Sequence, residues 1–153
     1  MTDASFKVYS NIPAPKMSGA LKVAKLNNLQ LLSYTVLASN LNSLTVASLI
    51  RLLPGQVVIQ ATAVVNDAFT LVDESTLTIG FAATAAGAPT ATLLDEKQTT
   101  FALNQIFNDN NNAPYVVQAA TPFLNVSNDT NTTASANGSF VINLLVSNSA
   151  VNA

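Results

Sequence analysis

Histidine, cysteine and tryptophan are all missing from these 153 residues, and only 9% of the chain is charged. Without cysteine there are no disulfides, no thiolate chemistry and no Cys-based metal sites. Without histidine the usual zinc ligand and the usual neutral-pH general base are gone. Serine and threonine abound, but no triad can form, and neither Ser-x-x-Lys nor Gly-x-Ser-x-Gly stands in for one. No run reaches the roughly 18 apolar residues of a membrane-spanning helix. The first residues, MTDASFKVYSNIPAP, lack the apolar stretch of a signal peptide. These absences predict a protein that is not an enzyme, binds no cofactor or metal, and does not enter a membrane.

Ordinary soluble domains are about 25% charged. Here Asn, Thr, Ser and Gln fill the polar positions instead. A surface solvated by amides and hydroxyls accounts for that. So does a surface largely buried against copies of itself or a larger assembly, because interface cores are depleted in charge. The few charges are sorted along the chain. Lys7, Lys16, Lys22 and Lys25 all precede position 26, whereas Asp67, Asp73, Glu74, Asp95, Glu96, Asp109 and Asp129 follow position 66. Four lysines without arginine or interleaved aromatics make a poor nucleic-acid footprint, and an acidic pI near 4.7 argues against one. A basic end that meets an acidic protein surface is the functional expectation, with a solvated lysine face as its bland rival.

The length fits one domain. Residues 1–19 read as an extended arm, because Pro13 and Pro15 forbid regular helix. The domain, residues 20–153, then reads as strands broken by turn chemistry. Residues 20–26 read as a strand or a helical turn, with strand preferred, and further strands are expected at 29–38, 43–53, 91–94, 98–103, 115–120, 122–127 and 139–147. The asparagine-rich NQIFNDNNNAP, residues 104–114, reads as a connection. The stretch LLPGQVVIQATAVVNDAFTLVDESTLTIGF, residues 52–81, reads as a hairpin. Pro54-Gly55 signals a turn. Val57 and Ile59 then alternate with polar or opposite-face positions, Asp73-Glu74 breaks the pattern, and Leu77 and Ile79 alternate with threonines. Val57, Ile59, Leu77 and Ile79 are the expected core of that hairpin. Punctuation at this spacing predicts an all-β fold, an antiparallel sandwich or jelly-roll-like barrel.

NDNNN, residues 108–112, has the oxygen donors of a calcium loop but one carboxylate, Asp109, and no terminal bidentate Glu; a surface turn is the better reading. Asp73-Glu74 and Asp95-Glu96 are adjacent acidic pairs. Neighbours on a strand point to opposite faces, so neither pair converges on one substrate. As surface residues, their conversion to amides is expected to change stability by less than about 0.5 kcal/mol. Four N-x-Ser/Thr sequons, at Asn125, Asn128, Asn131 and Asn137, are what an Asn/Thr-rich segment generates by chance.

The grammar of residues 52–81 resembles that of small head-decoration (cement) proteins of tailed bacteriophages. A Leu-Pro-Gly turn leads into an apolar strand, a Val-Asn-Asp-Ala-Phe stretch and a Thr-rich strand closing on Ile-Gly. The resemblance covers a fifth of the chain and consists of turn and strand pattern rather than chemistry. It implies a β-rich module on the outer surface of a capsid, trimeric, bridging neighbouring major capsid protein subunits, with no catalytic residues. On that reading Lys7, Lys16, Lys22 and Lys25 are candidates for docking to the capsid. The runner-up is a tail, fibre or baseplate module that recognises host-surface glycan.

Overall fold

The computed structural model describes residues 29–41, 46–129, 134–135 and 137–147. The arm at 1–19, the expected strand at 20–26 and all four lysines proposed for docking lie outside the described residues. Nine strands are seen among those described: β1 Leu29–Leu37, β2 Val46–Arg51, β3 Val57–Asp67, β4 Phe69–Ala82, β5 Ala91–Phe101, β6 Asn110–Asn111, β7 Tyr115–Val116, β8 Phe123–Asn128 and β9 Ser139–Ser147. They form two antiparallel sheets, ordered β1-β9-β3-β7 and β2-β8-β4-β5-β6. The fold is an all-β sandwich.

Alternation explains the layers. On β9, Phe140, Ile142, Leu144 and Val146 are wholly buried, while Val141, Asn143 and Leu145 on the other face are half-buried. Leu77, Ile79 and Phe81 of β4, with Leu124 and Val126 of β8, face them from the second sheet. Each such side chain contributes roughly 1.5–3 kcal/mol on burial. Four phenylalanines fill one end of the core. Phe69 stacks on Phe101 at 4.6 Å between ring centres, and Phe107 lies 5.0 Å from Phe140.

Residues 52–81 are not a hairpin. β3 belongs to the first sheet and β4 to the second, and the chain crosses between them at Ala68. Pro54-Gly55 does form a turn. Gln56 N donates to Leu53 O at 3.1 Å, and Gly55 has φ of 90°, the geometry of a type II turn with Pro and Gly in their favoured places. That turn, however, joins β2 of one sheet to β3 of the other. Asp73-Glu74 is not a break either. Residues 71–74 bulge out of β4, between the pairs Thr70↔Thr100 and Ser75↔Gln98, and the strand continues beyond them. Leu77 and Ile79 are wholly buried, but Val57 and Ile59 are only half-buried. A second bulge, between Val58 and Gln60, shifts the phase, so that Val58, Ala61, Ala63 and Val65 face the core.

The two strands expected at 91–94 and 98–103 are one strand, β5, and the strand expected at 115–120 shrinks to the two residues of β7. The asparagine-rich segment between them seals one side of the sandwich. Asn104 N donates to Val65 O, and Phe107 N to Ala63 O, both at 2.9 Å. Asn111 Nδ2 donates to Ala61 O at 3.0 Å, and Asn112 Nδ2 to Thr92 O at 2.9 Å. The outer edges of β3 and β5 are therefore occupied by backbone and amide groups that leave no template for another strand.

The loop after β4 folds back over the second sheet, held by Asn125 Nδ2, which donates to Thr84 O at 3.0 Å and to Gly87 O at 2.8 Å. Beneath it lies Gly80, where a Cβ would stand 2.4 Å from Ala91 O. Gly80→Ala is expected to lower stability by about 1–3 kcal/mol, the usual cost of overpacking. Gly87→Ala meets only the hydroxyl end of Thr84, at 3.0 Å, and should change stability far less. Denaturant midpoints of the two variants against the parent measure the contrast.

Candidate interaction surface

The end of the sandwich that carries the phenylalanine cluster also carries two recesses. The last residues of β5 pair beside the first of β4 (Phe69↔Phe101), while Leu37 of β1 and Asp67 of β3 both pair with Ser139. Between these strand ends lies a cavity of about 530 Å³ lined by Phe69, Thr70, Phe101, Leu103, Ser135 and Asn137, among others. A second recess, of about 260 Å³, shares Asn137 and continues past Leu37, Asp67 and Ser139. Together they make a groove across the end whose lining, among the described residues, includes a single ionisable residue, Asp67. Its floor is apolar because Phe69 and Phe101 are buried beneath it, while Leu103, Leu37 and the uncharged polar side chains of Thr70, Thr100, Ser135 and Asn137 line it. Leu103 is 59% exposed, and Ile106 in the same loop is 56% exposed. Val72, on the β4 bulge two residues past Thr70, is 73% exposed. Exposed apolar side chains grouped at one place mark an interaction site more strongly than single ones scattered over a surface.

Loop 102–109, which presents Leu103 and Ile106, is pinned from beneath. Ala102 N donates to Gln105 Oε1 at 3.0 Å, and Gln105 Nε2 donates to Glu96 Oε2 at 3.3 Å. Asn108 N donates to Glu96 Oε1 at 3.4 Å, and Lys97 N to Asp109 Oδ2 at 2.7 Å. Glu96 is therefore not a surface residue: it is 4% exposed, so the premise of surface exposure behind a silent amide substitution fails there. Asp95, its neighbour, turns to the other face and accepts from Asn110 Nδ2 at 2.9 Å. Asp73 and Glu74 are exposed on the bulge. The carboxylate that Glu96 meets is Asp109 rather than Asp95. Asp109 fixes the NDNNN turn through the Lys97 amide, and among the described residues no group of three or more acidic, His or Cys side chains could hold a metal ion.

A second buried polar cluster holds the neck of the bulge. Ser75 Oγ reaches both Asn128 Oδ1 and Asp129 Oδ1, Thr76 N donates to Asp129 Oδ1 at 2.8 Å, and Asn128 Nδ2 donates to Leu41 O at 2.8 Å. These bonds tie β4, β8 and the 3-10 turn Ala38–Leu41 together. Asn125 and Asn128, two of the four sequon asparagines, are buried, and Asn137 is exposed at the groove.

No family model matches the chain, and no curated protein does either. Among solved structures the chain is similar to one in the capsid asymmetric unit of cyanophage Pam1. The two are 18% identical over 78% of this chain and 84% of that one, with a TM-score of 0.46. A likeness of that extent is too distant to carry either a fold assignment or a role.

Burial pushes the Glu96 carboxyl above its ordinary pKa, and the negative charge of Asp109 adds to the effect against the opposing bonds from Asn108 and Gln105. A raised folded-state pKa means that the folded protein holds this proton more tightly than the unfolded chain does. The resulting stabilisation is complete below the unfolded value and is lost as pH rises through the folded one. Glu96→Gln removes the titration. The variant's stability relative to the parent should therefore improve steadily from acidic to neutral pH. Urea unfolding across that range checks it, and a difference that does not vary with pH would contradict it.

Proposed function

We propose that this chain is a structural virion protein that decorates the outside of a phage head and bridges capsid subunits, assembling there as a trimer. The observation that carries the reading is the groove end: an apolar floor, a lining with one ionisable residue among those described, and exposed Leu103 and Leu37 on a chain with few charges anywhere. Such a surface is costly to leave in water and suits burial against another protein. The turn-and-strand pattern of residues 52–81 supports the choice of capsid over other assemblies. Lys7, Lys16, Lys22 and Lys25 would add a basic contact to an acidic protein surface, and no part of the role needs a catalytic group or cofactor.

A glycan-reading fibre module has less support. Sugar recognition favours aromatic faces open to solvent, whereas Phe69 and Phe101 are buried and Tyr115 stacks on Phe81 at 4.7 Å.

Quantifying the protein in separated heads and tails tests the location. The decoration role predicts many copies per head and none in tails; the reverse distribution would overturn it. The groove is tested by Leu103→Asn with Ile106→Asn. Both side chains are exposed, so stability should shift by less than about 0.5 kcal/mol. Binding to undecorated heads should fall by at least about tenfold, as expected for central apolar contacts. Unchanged binding would remove the groove from the interface.

A further inference from the structure

Asn137 is the single asparagine in the chain that glycine follows. Asparagine in that place can cyclise, because no side chain shields the backbone nitrogen that attacks its amide. The fold requires the glycine. Gly138 has φ of 119°, and a Cβ there would stand 2.4 Å from Phe69 Cβ and 2.9 Å from Ala68 O. No larger residue fits that place at the entry to β9. Asn137 itself is exposed and borders both recesses of the groove. The amides of Asn110, Asn111, Asn112, Asn125 and Asn128, by contrast, are all committed to hydrogen bonds.

Ser135 adds a third group. Its N donates to Thr70 O at 2.9 Å, and its Oγ accepts from Thr70 N at 3.3 Å. The hydroxyl proton is left to donate to Asn137 O, at 2.8 Å. That oxygen belongs to the peptide group whose nitrogen is Gly138 N. When the N–H is deprotonated, the negative charge is shared between the two atoms. A hydroxyl donated to the oxygen therefore stabilises the anion that attacks.

We propose that Asn137 is a site of spontaneous deamidation, activated by Ser135, which adds a carboxylate to the groove as the protein ages. Hydroxide takes the proton of Gly138 N, and the nitrogen attacks Asn137 Cγ. The N–Cγ bond forms, the Cγ–Nδ2 bond breaks, and Nδ2 leaves as ammonia after taking a proton from water. Water then opens the succinimide. Opening at Cγ leaves aspartate, and opening at the main-chain carbonyl leaves isoaspartate. Either product carries a carboxylate where the amide stood. Among the described residues Asp67 is the one ionisable group of the groove, and it lines the same recess as Asn137. A second negative charge beside it makes that end harder to bury against another surface. Aged chains then dock less well, a consequence that rests on the docking role proposed above; the chemistry itself does not.

The free full-length protein, held in warm, mildly alkaline buffer made with heavy-oxygen water, tests the chemistry without heads. Peptide mapping by mass spectrometry should find Asn137 converted before any other asparagine, with heavy oxygen gained and both aspartate and isoaspartate present. Ser135→Ala should slow the conversion about three- to tenfold, the effect of losing one hydrogen bond. Ser135→Thr keeps the hydroxyl and should restore the rate. Asn137→Gln, whose larger ring closes far more slowly, should block it. Asn137 left intact over several half-lives of the free peptide SANGSF would overturn the proposal. So would Ser135→Ala that converts as fast as the parent. On undecorated heads, Asn137→Asp should bind about tenfold more weakly than Asn137→Gln, the scale of one unpaired charge at an interface. Equal binding of the two would overturn the loss of docking.

Discussion

Six of the eight connections between the described strands carry the chain from one sheet to the other; β4 to β5 and β5 to β6 are the two that do not. This alternation is the constraint on which the rest of the structure depends. Neither sheet can form from a continuous piece of sequence, so each becomes stable only when its apolar face meets the other. The phenylalanine cluster shows the consequence. Phe69 and Phe101 come from the second sheet, Phe140 from the first, and Phe107 from the loop that spans their edges. Their mutual packing closes one end and positions the groove above it. With so many long-range pairings, loop-closure entropy must be met before contacts repay it, which places the fold among slow folders.

The two sides of the sandwich differ because the chain treats its edges differently. One is sealed by asparagine amides and the backbone of residues 104–117, with Glu96 and Asp109 holding the seal in place. That arrangement uses buried polar bonds where other proteins use surface charge. It suits a chain whose polar residues are mostly neutral. The same loop offers Leu103 and Ile106 to solvent, so the segment that protects the edge also builds the rim of the proposed interface.

Period-two alternation made the fold class legible. β1 and β9 were readable almost to the residue, because an uninterrupted alternation with β-branched residues has few other solutions. Pairing was not readable. Alternation shows that 57–67 and 69–82 are strands without saying that they separate into different sheets. The corner at Ala68 is marked only by Asn66-Asp67 ahead of it, whereas Asp73-Glu74, which looks like a break, is a bulge within a strand. The phase of β3 was misread for a similar reason, since a bulge at Ile59 leaves no mark in composition. Glu96 looked like a surface residue because charge in a sequence usually is. Its partners, Gln105, Asn108 and Asp109, lie 9 to 13 residues on and reach it only through the fold. The groove could not be foreseen at all, since its lining comes from four separated segments.

Imaging of intact heads that carry the protein tests the central claim most directly. The prediction is density for this sandwich on the outer shell, in threefold clusters, with the Leu103–Ile106 end and the groove turned toward a neighbouring protein surface and excluded from solvent. A sandwich found only on tails, or seated on the shell with that end pointing freely into solvent, would contradict it.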